Sequence, residues 1–291
     1  MYLKDSYFKV LGLNKEPFST SPDPNFFYQS LEHKTALTNI LIEIRLRRGL
    51  SIVLGDIGTG KTTLSRKLSQ LLTARDNLDL YMILDPAYDT EYLFSLALVK
   101  TFEIEVNTQS ATLLDLKQEL KHYLFQKGVN ENRTIVLLID EAQKLNSMSL
   151  EVLRMLLNYE TNEFKLLQLI FLGQVELLPL LIQTKNLMDR VSLKYALGPF
   201  NQEETRGMIE FRLRQAGYDG RENLFHNEAF KIIYEYTKGY PRRISMLCHK
   251  ALKQLVMKNR PFVNSELIKE IVDSEAKLGW QNKDLLLKKS Y

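Results

Sequence analysis

Residues 53–68, VLGDIGTGKTTLSRKL, constrain the fold more than any other stretch of the chain. Gly55-Asp56-Ile57-Gly58-Thr59-Gly60-Lys61-Thr62 fits the spacing G-x-x-x-x-G-K-[ST], with an apolar run before it and a helical pattern after it. That pattern specifies a strand, a tight loop and a helix in succession. Glycines let backbone N–H groups curl round an anion, Lys61 adds a point charge at the outer phosphates, and Thr62 offers a hydroxyl to Mg²⁺. The helix that begins here aims the positive end of its dipole at the same point. Thr63 is read either as a helper beside the phosphates or as ordinary packing at a helix start.

Around this loop, short β-type runs alternate with helical patterns, which predicts a parallel sheet with covering helices. The runs are SIVL (51–54), LYMIL (80–84), TIVLLI (134–139), LLQLIFL (166–172) and SLKYAL (192–197), giving five strands. After Gly198-Pro199 the β signal stops, and helical patterns follow near 201–216, 226–238, 241–259 and 264–279. The expected division is an aromatic and proline-rich arm over 1–30, a P-loop α/β core over 31–199, a helical lid over 200–279 and a tail over 280–291. Pro17, Pro22 and Pro24 forbid a continuous helix in the arm, and its density of Phe and Tyr predicts docking. A chain of 291 residues is long enough for both domains.

The net charge of +4 is the difference between 39 basic and 35 acidic residues, so the balance predicts a solvated mixed surface rather than a polyanion-binding one. One small basic group, Arg45, Arg47 and Arg48 beside Gly49, reads either as a DNA contact or as the solvated end of a helix. Cys248 is the sole cysteine and lies in an apolar helical pattern, which predicts a buried thiol in a reducing compartment. The start, MYLKDSYFKV, has no apolar leader core, and the longest apolar runs are too short to span a bilayer. No membrane span is expected, and any membrane link would come through a partner.

Four further stretches bear on hydrolysis. IVLLIDE (135–141) ends a buried strand in two acids: Asp140 is placed to hold Mg²⁺ through its water shell and Glu141 to orient an attacking water, although adjacent acids can also cap a helix. The strand LLQLIFL ends in Gly173-Gln174, so Gln174 can report the terminal phosphate or serve as a polar turn residue. Arg190, just before the last strand, reads as a finger entering a neighbour's nucleotide site or as a surface ion pair. In GYPRRISML, Pro241 suits a first helical turn, and Arg242 and Arg243 oppose the dipole there, which a phosphate bound between the two domains would account for.

Taken in order, the phosphate loop, the DE pair, the polar residue after the fourth strand, the arginine before the fifth and the G-x-P-R of the helical region resemble an AAA+ ATPase. More narrowly, the chain is similar to the ExeA/GspA type of secretion ATPase and its short relatives in MSHA-type pilus-biogenesis and exosortase loci. The residues carrying this are FKVLGLNKEPFSTSPDPNFFYQSLEHKTAL, GDIGTGKTTL, LLIDEAQKL, LRMLLNYETNEFKLLQLIFLGQVEL, LGPFNQEETRGMIEFRLRQAG and GYPRRISMLCHKAL. The resemblance implies that the Gln174 strand lies between those of Lys61 and Asp140, that Arg190 acts in trans and that Arg242 is the lid sensor, with Arg243 second. Longer members continue into a membrane span and a peptidoglycan-binding module; the chain ends at Tyr291 with neither, the expectation for a free-standing short relative or for a trimmed piece of a longer protein.

The resulting expectation is a cytoplasmic, Mg²⁺-dependent ATPase that forms a homo-oligomer, ring or filament, with nucleotide and serves an envelope or inner-membrane partner in secretion, pilus or polysaccharide export. The competing expectations are a DNA-bound ATPase of the transposition-regulator or initiator kind, and a slow nucleotide-gated switch.

Overall fold

The computed structural model describes residues 6–107, 110–220 and 223–277. Its contacts divide into two units: Leu31–Gly198, and the described residues up to Ser30 together with those from Pro199 onward.

The larger unit is built on five parallel strands, β1 Leu50–Gly55, β2 Leu78–Ile83, β3 Thr134–Ile139, β4 Leu167–Gly173 and β5 Val191–Leu197, in the order β2-β3-β4-β1-β5. Strands covered on both faces read as unbroken apolar runs, and every residue of β4 is buried. β5, at one edge, instead alternates between half-buried and exposed positions until it ends in buried Leu197. Leu98, Leu120 and Leu153, from the helices Glu91–Thr101, Leu113–Phe125 and Ser147–Leu156, join Leu137 and Phe171 of the sheet in one core. Because β1, β4 and β3 are consecutive neighbours, the segments leaving their carboxyl ends lie side by side, the usual ligand edge of such sheets.

β2 begins two residues earlier than its apolar run and leaves Leu84 outside, 63% exposed. The extension passes through Asp79, a residue that strands disfavour. Asp79 is tolerated because β2 is an edge strand and the Arg133 guanidinium grips its carboxylate at 2.5 and 2.7 Å.

The second unit contains the helices Gln202–Gln215, Asn227–Thr237, Pro241–Met257 and Ser265–Lys277. Met208, Ile233, Leu252 and Ile268 meet in its core, and the arm residues Leu13, Phe18 and Phe26 are buried in the same cluster. The arm is held by backbone as well: Asn14 N–H donates to Ala216 O at 2.8 Å, and Arg212 donates to Ser19 O at 3.2 Å and Ser245 Oγ at 3.1 Å. Burial pulls the Arg212 guanidinium down to about 10. Asn201 and Glu204 close a capping box on the first of the four helices. Cys248 is fully buried, which pushes its thiol far above the ordinary range. The tail assigned to 280–291 lies outside the described residues, among which no helix is long and apolar enough to cross a membrane.

Candidate functional site

The loop after β1 folds on itself. Gly58 and Gly60 adopt φ of +86° and +101°, which glycine reaches without steric cost, and Gly60 caps the helix Lys61–Leu72. Lys61 is buried, and its ammonium donates to Gly55 O at 2.6 Å and Asp56 O at 2.9 Å. The Thr59 hydroxyl also donates to Asp56 O, at 2.9 Å. From the helix Leu31–Arg45, buried His33 places Nε2 2.9 Å from Thr59 O, so a ring N–H donates to the loop backbone. Sequence reading assigned His33 no role; its only signal is its place in LEHKTAL.

Asp140 emerges from β3, 4% exposed. It accepts the Glu141 backbone N–H at 2.9 Å and bonds the Thr62 side chain. Burial raises its carboxyl above the usual range, with the Glu141 charge adding to that and the Glu141 N–H, Lys61 and Thr62 opposing it. Burial likewise lowers the Lys61 ammonium, against the pull of Glu141, Asp140, Asp56 and Glu176. The cation and the carboxylate therefore each lose more by desolvation than they gain from each other.

Among the described residues no cluster of three or more His, Cys, Asp or Glu assembles. Mg²⁺ needs none, since it keeps several waters and takes one or two protein oxygens beside phosphate. The bonded Thr62–Asp140 pair meets that requirement, and Lys61 with the loop N–H groups meets the needs of a polyphosphate.

Glu141 and Gln174 stand beside Asp140, both half-buried, at the ends of β3 and β4. A single side chain joins them: Gln143 donates from Nε2 to Glu141 Oε2 at 2.6 Å and accepts the Gln174 backbone N–H at Oε1, at 3.0 Å. Sequence reading also passed over Gln143, which is visible only as the polar residue of DEAQ.

Arg190 is not brought to its own phosphate loop. Val191 pairs with Leu50 at the start of β1, whereas Leu197 pairs with Gly55 at its end. Six residues of strand rise separate the two by about 20 Å. The side chain is half-buried and donates to Asn186 O and, at 2.7 Å, to Asn158 Oδ1. In the basic group, Arg45 and Arg48 are exposed, but Arg47 is engaged: it donates to Thr134 Oγ1 at 3.2 Å and Asn132 O at 3.0 Å and lies 4.5 Å over the Phe164 ring. In the helical unit, Arg243 lies 5.0 Å over the Tyr240 ring, while Arg242 is exposed on the same first turn.

Residues 44–181 match the family described as AAA domain. General secretion pathway protein A of Aeromonas hydrophila is 34% identical over 248 residues, 84% of this chain and 44% of that protein, so the chain spans less than half the relative's length. The fold matches ORC2 of Aeropyrum pernix in ADPNP–ADP complexes, with a TM-score of 0.64 at 15% identity over 89% of this chain and 71% of that one. ORC1 of Aeropyrum pernix, solved in complex with DNA, gives 0.64 at 15% identity over 93% and 70%. The α/β core with the P-loop followed by helices is thus the AAA+ fold, and the chain belongs to the AAA+ ATPases of the GspA/ExeA type.

Proposed function

We propose that the protein binds ATP with Mg²⁺ and hydrolyses it, and that two copies complete each active site. The observation that carries this reading is the row at the carboxyl edge of the sheet: the Lys61 loop after β1, Gln174 after β4 and Asp140-Glu141 after β3. In this reading the loop N–H groups and Lys61 hold the phosphates. Thr62 and Asp140 hold the metal, which neutralises phosphate charge when bound. Glu141 accepts a proton from, or orients, the attacking water, and Gln174 donates its amide toward the terminal phosphate. Thr63 supports the loop, and Arg190 serves a neighbouring copy.

The similarity to general secretion pathway protein A supports work for an envelope machine, by way of a partner at the inner membrane, from the cytoplasmic side. DNA binding is the second reading; the engagement of Arg47 within its own unit removes one cation from the surface it would use.

The test is paired. Lys61→Ala should abolish binding of a fluorescent ATP analogue, whereas Glu141→Gln should bind the analogue as wild type does and lose turnover by about a hundredfold or more. Equal turnover in wild type and Lys61→Ala would sink the hydrolase assignment.

A further inference from the structure

Gln143 fills none of the roles just assigned, yet both ends of its amide are committed inside the site. Nε2 donates to Glu141 Oε2 at 2.6 Å, and Oε1 accepts the backbone N–H of Gln174, 31 residues further along the chain, at 3.0 Å. The two partners fix the orientation of the amide, because a backbone N–H must meet an oxygen and a carboxylate must meet the NH₂. The bond to Glu141 is charge-assisted, the stronger class of hydrogen bond.

The frame that carries Gln143 is rigid. Gln174 follows β4, whose residues are all buried, and its N–H belongs to the backbone rather than to a mobile side chain. Glu141 sits at φ +50° and ψ 37°, a left-handed conformation that a residue with a Cβ adopts only when its surroundings impose it. The turn that begins there is closed by Lys144 N–H on Glu141 O, and Ala142 within it is fully buried. A Cβ at Gly173 would meet Ala142 Cβ and Gln143 N at 3.4 Å, so this turn packs directly on the end of β4. A glutamate side chain has three rotatable bonds, and Gln143 is the partner that ties its carboxylate to that frame.

We infer that Gln143 is a positioning residue that fastens the Glu141 carboxylate to the end of β4, so that the water-orienting group and the phosphate-facing Gln174 keep one fixed spacing. The inference rests on the hydrolase reading above. Its consequence is a split in kinetics: the bridge holds a group that acts on the attacking water, so losing it lowers kcat and leaves nucleotide capture by the Lys61 loop intact.

Two substitutions separate positioning from a merely structural link. Gln143→Ala removes both bonds. Gln143→Glu keeps the shape and an oxygen for the Gln174 N–H but cannot donate to Glu141, and it sets two carboxylates against each other. Both variants should lose about tenfold or more in kcat, with KM for ATP within about threefold of wild type. Gln143→Glu keeps the bond from the Gln174 N–H, so it should still fold and bind a fluorescent ATP analogue within about threefold of wild type, which makes it the deciding variant if Gln143→Ala folds poorly. Wild-type kcat in Gln143→Glu would overturn the inference, and so would a rise in KM with kcat unchanged. A wild-type protein without turnover would instead overturn the hydrolase reading on which it stands.

Discussion

Asp140 and Lys61 are each buried against their own charge. Desolvation raises the carboxyl and lowers the ammonium, and their mutual attraction does not restore either. For an acid whose folded value is raised, the folded state binds its proton more tightly than the unfolded chain does. The resulting penalty on stability is present in full above the folded value and is relieved as pH falls through it. Asn at this position keeps an oxygen for the Glu141 N–H while removing the charge. Asp140→Asn is therefore expected to raise the thermal midpoint of the nucleotide-free protein at pH 7.5. The gain should shrink toward acidic pH, and ATP turnover should be lost. Thermal unfolding followed at several pH values checks this, and a lower midpoint at pH 7.5 would mean that hydrogen bonds to the carboxylate outweigh its burial.

At the scale of elements, the helical unit is fastened by a junction that admits no side chain. Phe200 N–H donates to Gly239 O at 2.9 Å, and a Cβ on Gly239 would stand 1.9 Å from Phe200 O, with φ at +75°. Gly12 has nearly the same φ, +73°, but nothing within 4 Å of its Cβ position. Gly12→Ala should thus cost about 1 kcal/mol for backbone conformation alone, and Gly239→Ala more than about 3 kcal/mol, because backbone must move as well. Denaturant unfolding of the two variants measures the difference, and equal losses would show that the close approach is relieved at no cost. The same contrast marks what the sequence made legible. Buried strands such as TIVLLI announce themselves because two covered faces demand an unbroken apolar run, and β3 falls on those residues. The amino end of β2 is not legible in its apolar run, because the strand tolerates Asp79 only where Arg133, 54 residues away, grips its carboxylate. The places of Lys61, Asp140 and Gln174 in the fold are legible because each follows a strand or begins a helix in a recognisable order. Those of His33 and Gln143 are not, because a single histidine and a single glutamine carry no period, and their meaning lies in contacts with Thr59 and Glu141 that only the folded chain creates.

For the molecule as a whole, the position of Arg190 separates a site completed by one copy from a site completed by two. It precedes β5 at the amino edge of the sheet, while the phosphate loop leaves the carboxyl edge of β1, about 20 Å away by strand rise. Strands of a packed sheet do not slide by that distance, so if Arg190 meets a phosphate, the phosphate belongs to another copy. Doing so also requires its guanidinium to exchange the bonds to Asn186 and Asn158 for a ligand. Arg190→Ala is expected to bind ATP as wild type does and to lose about three orders of magnitude in turnover, the lower end of what such a finger supplies. Glu141→Gln is expected to be inactive for the opposite reason, having a damaged site but an intact arginine. Mixed in equal amounts, these two inactive proteins should recover activity, because a head-to-tail assembly of random composition sets an intact site against an intact arginine at about one seam in four. The measurement is the ATPase rate of the mixture at rising protein concentration, with two different tags on the variants to establish that they assemble together. Recovery that grows with concentration places the arginine across the seam, whereas a co-assembled mixture no faster than its components would show that Arg190 serves no neighbouring site.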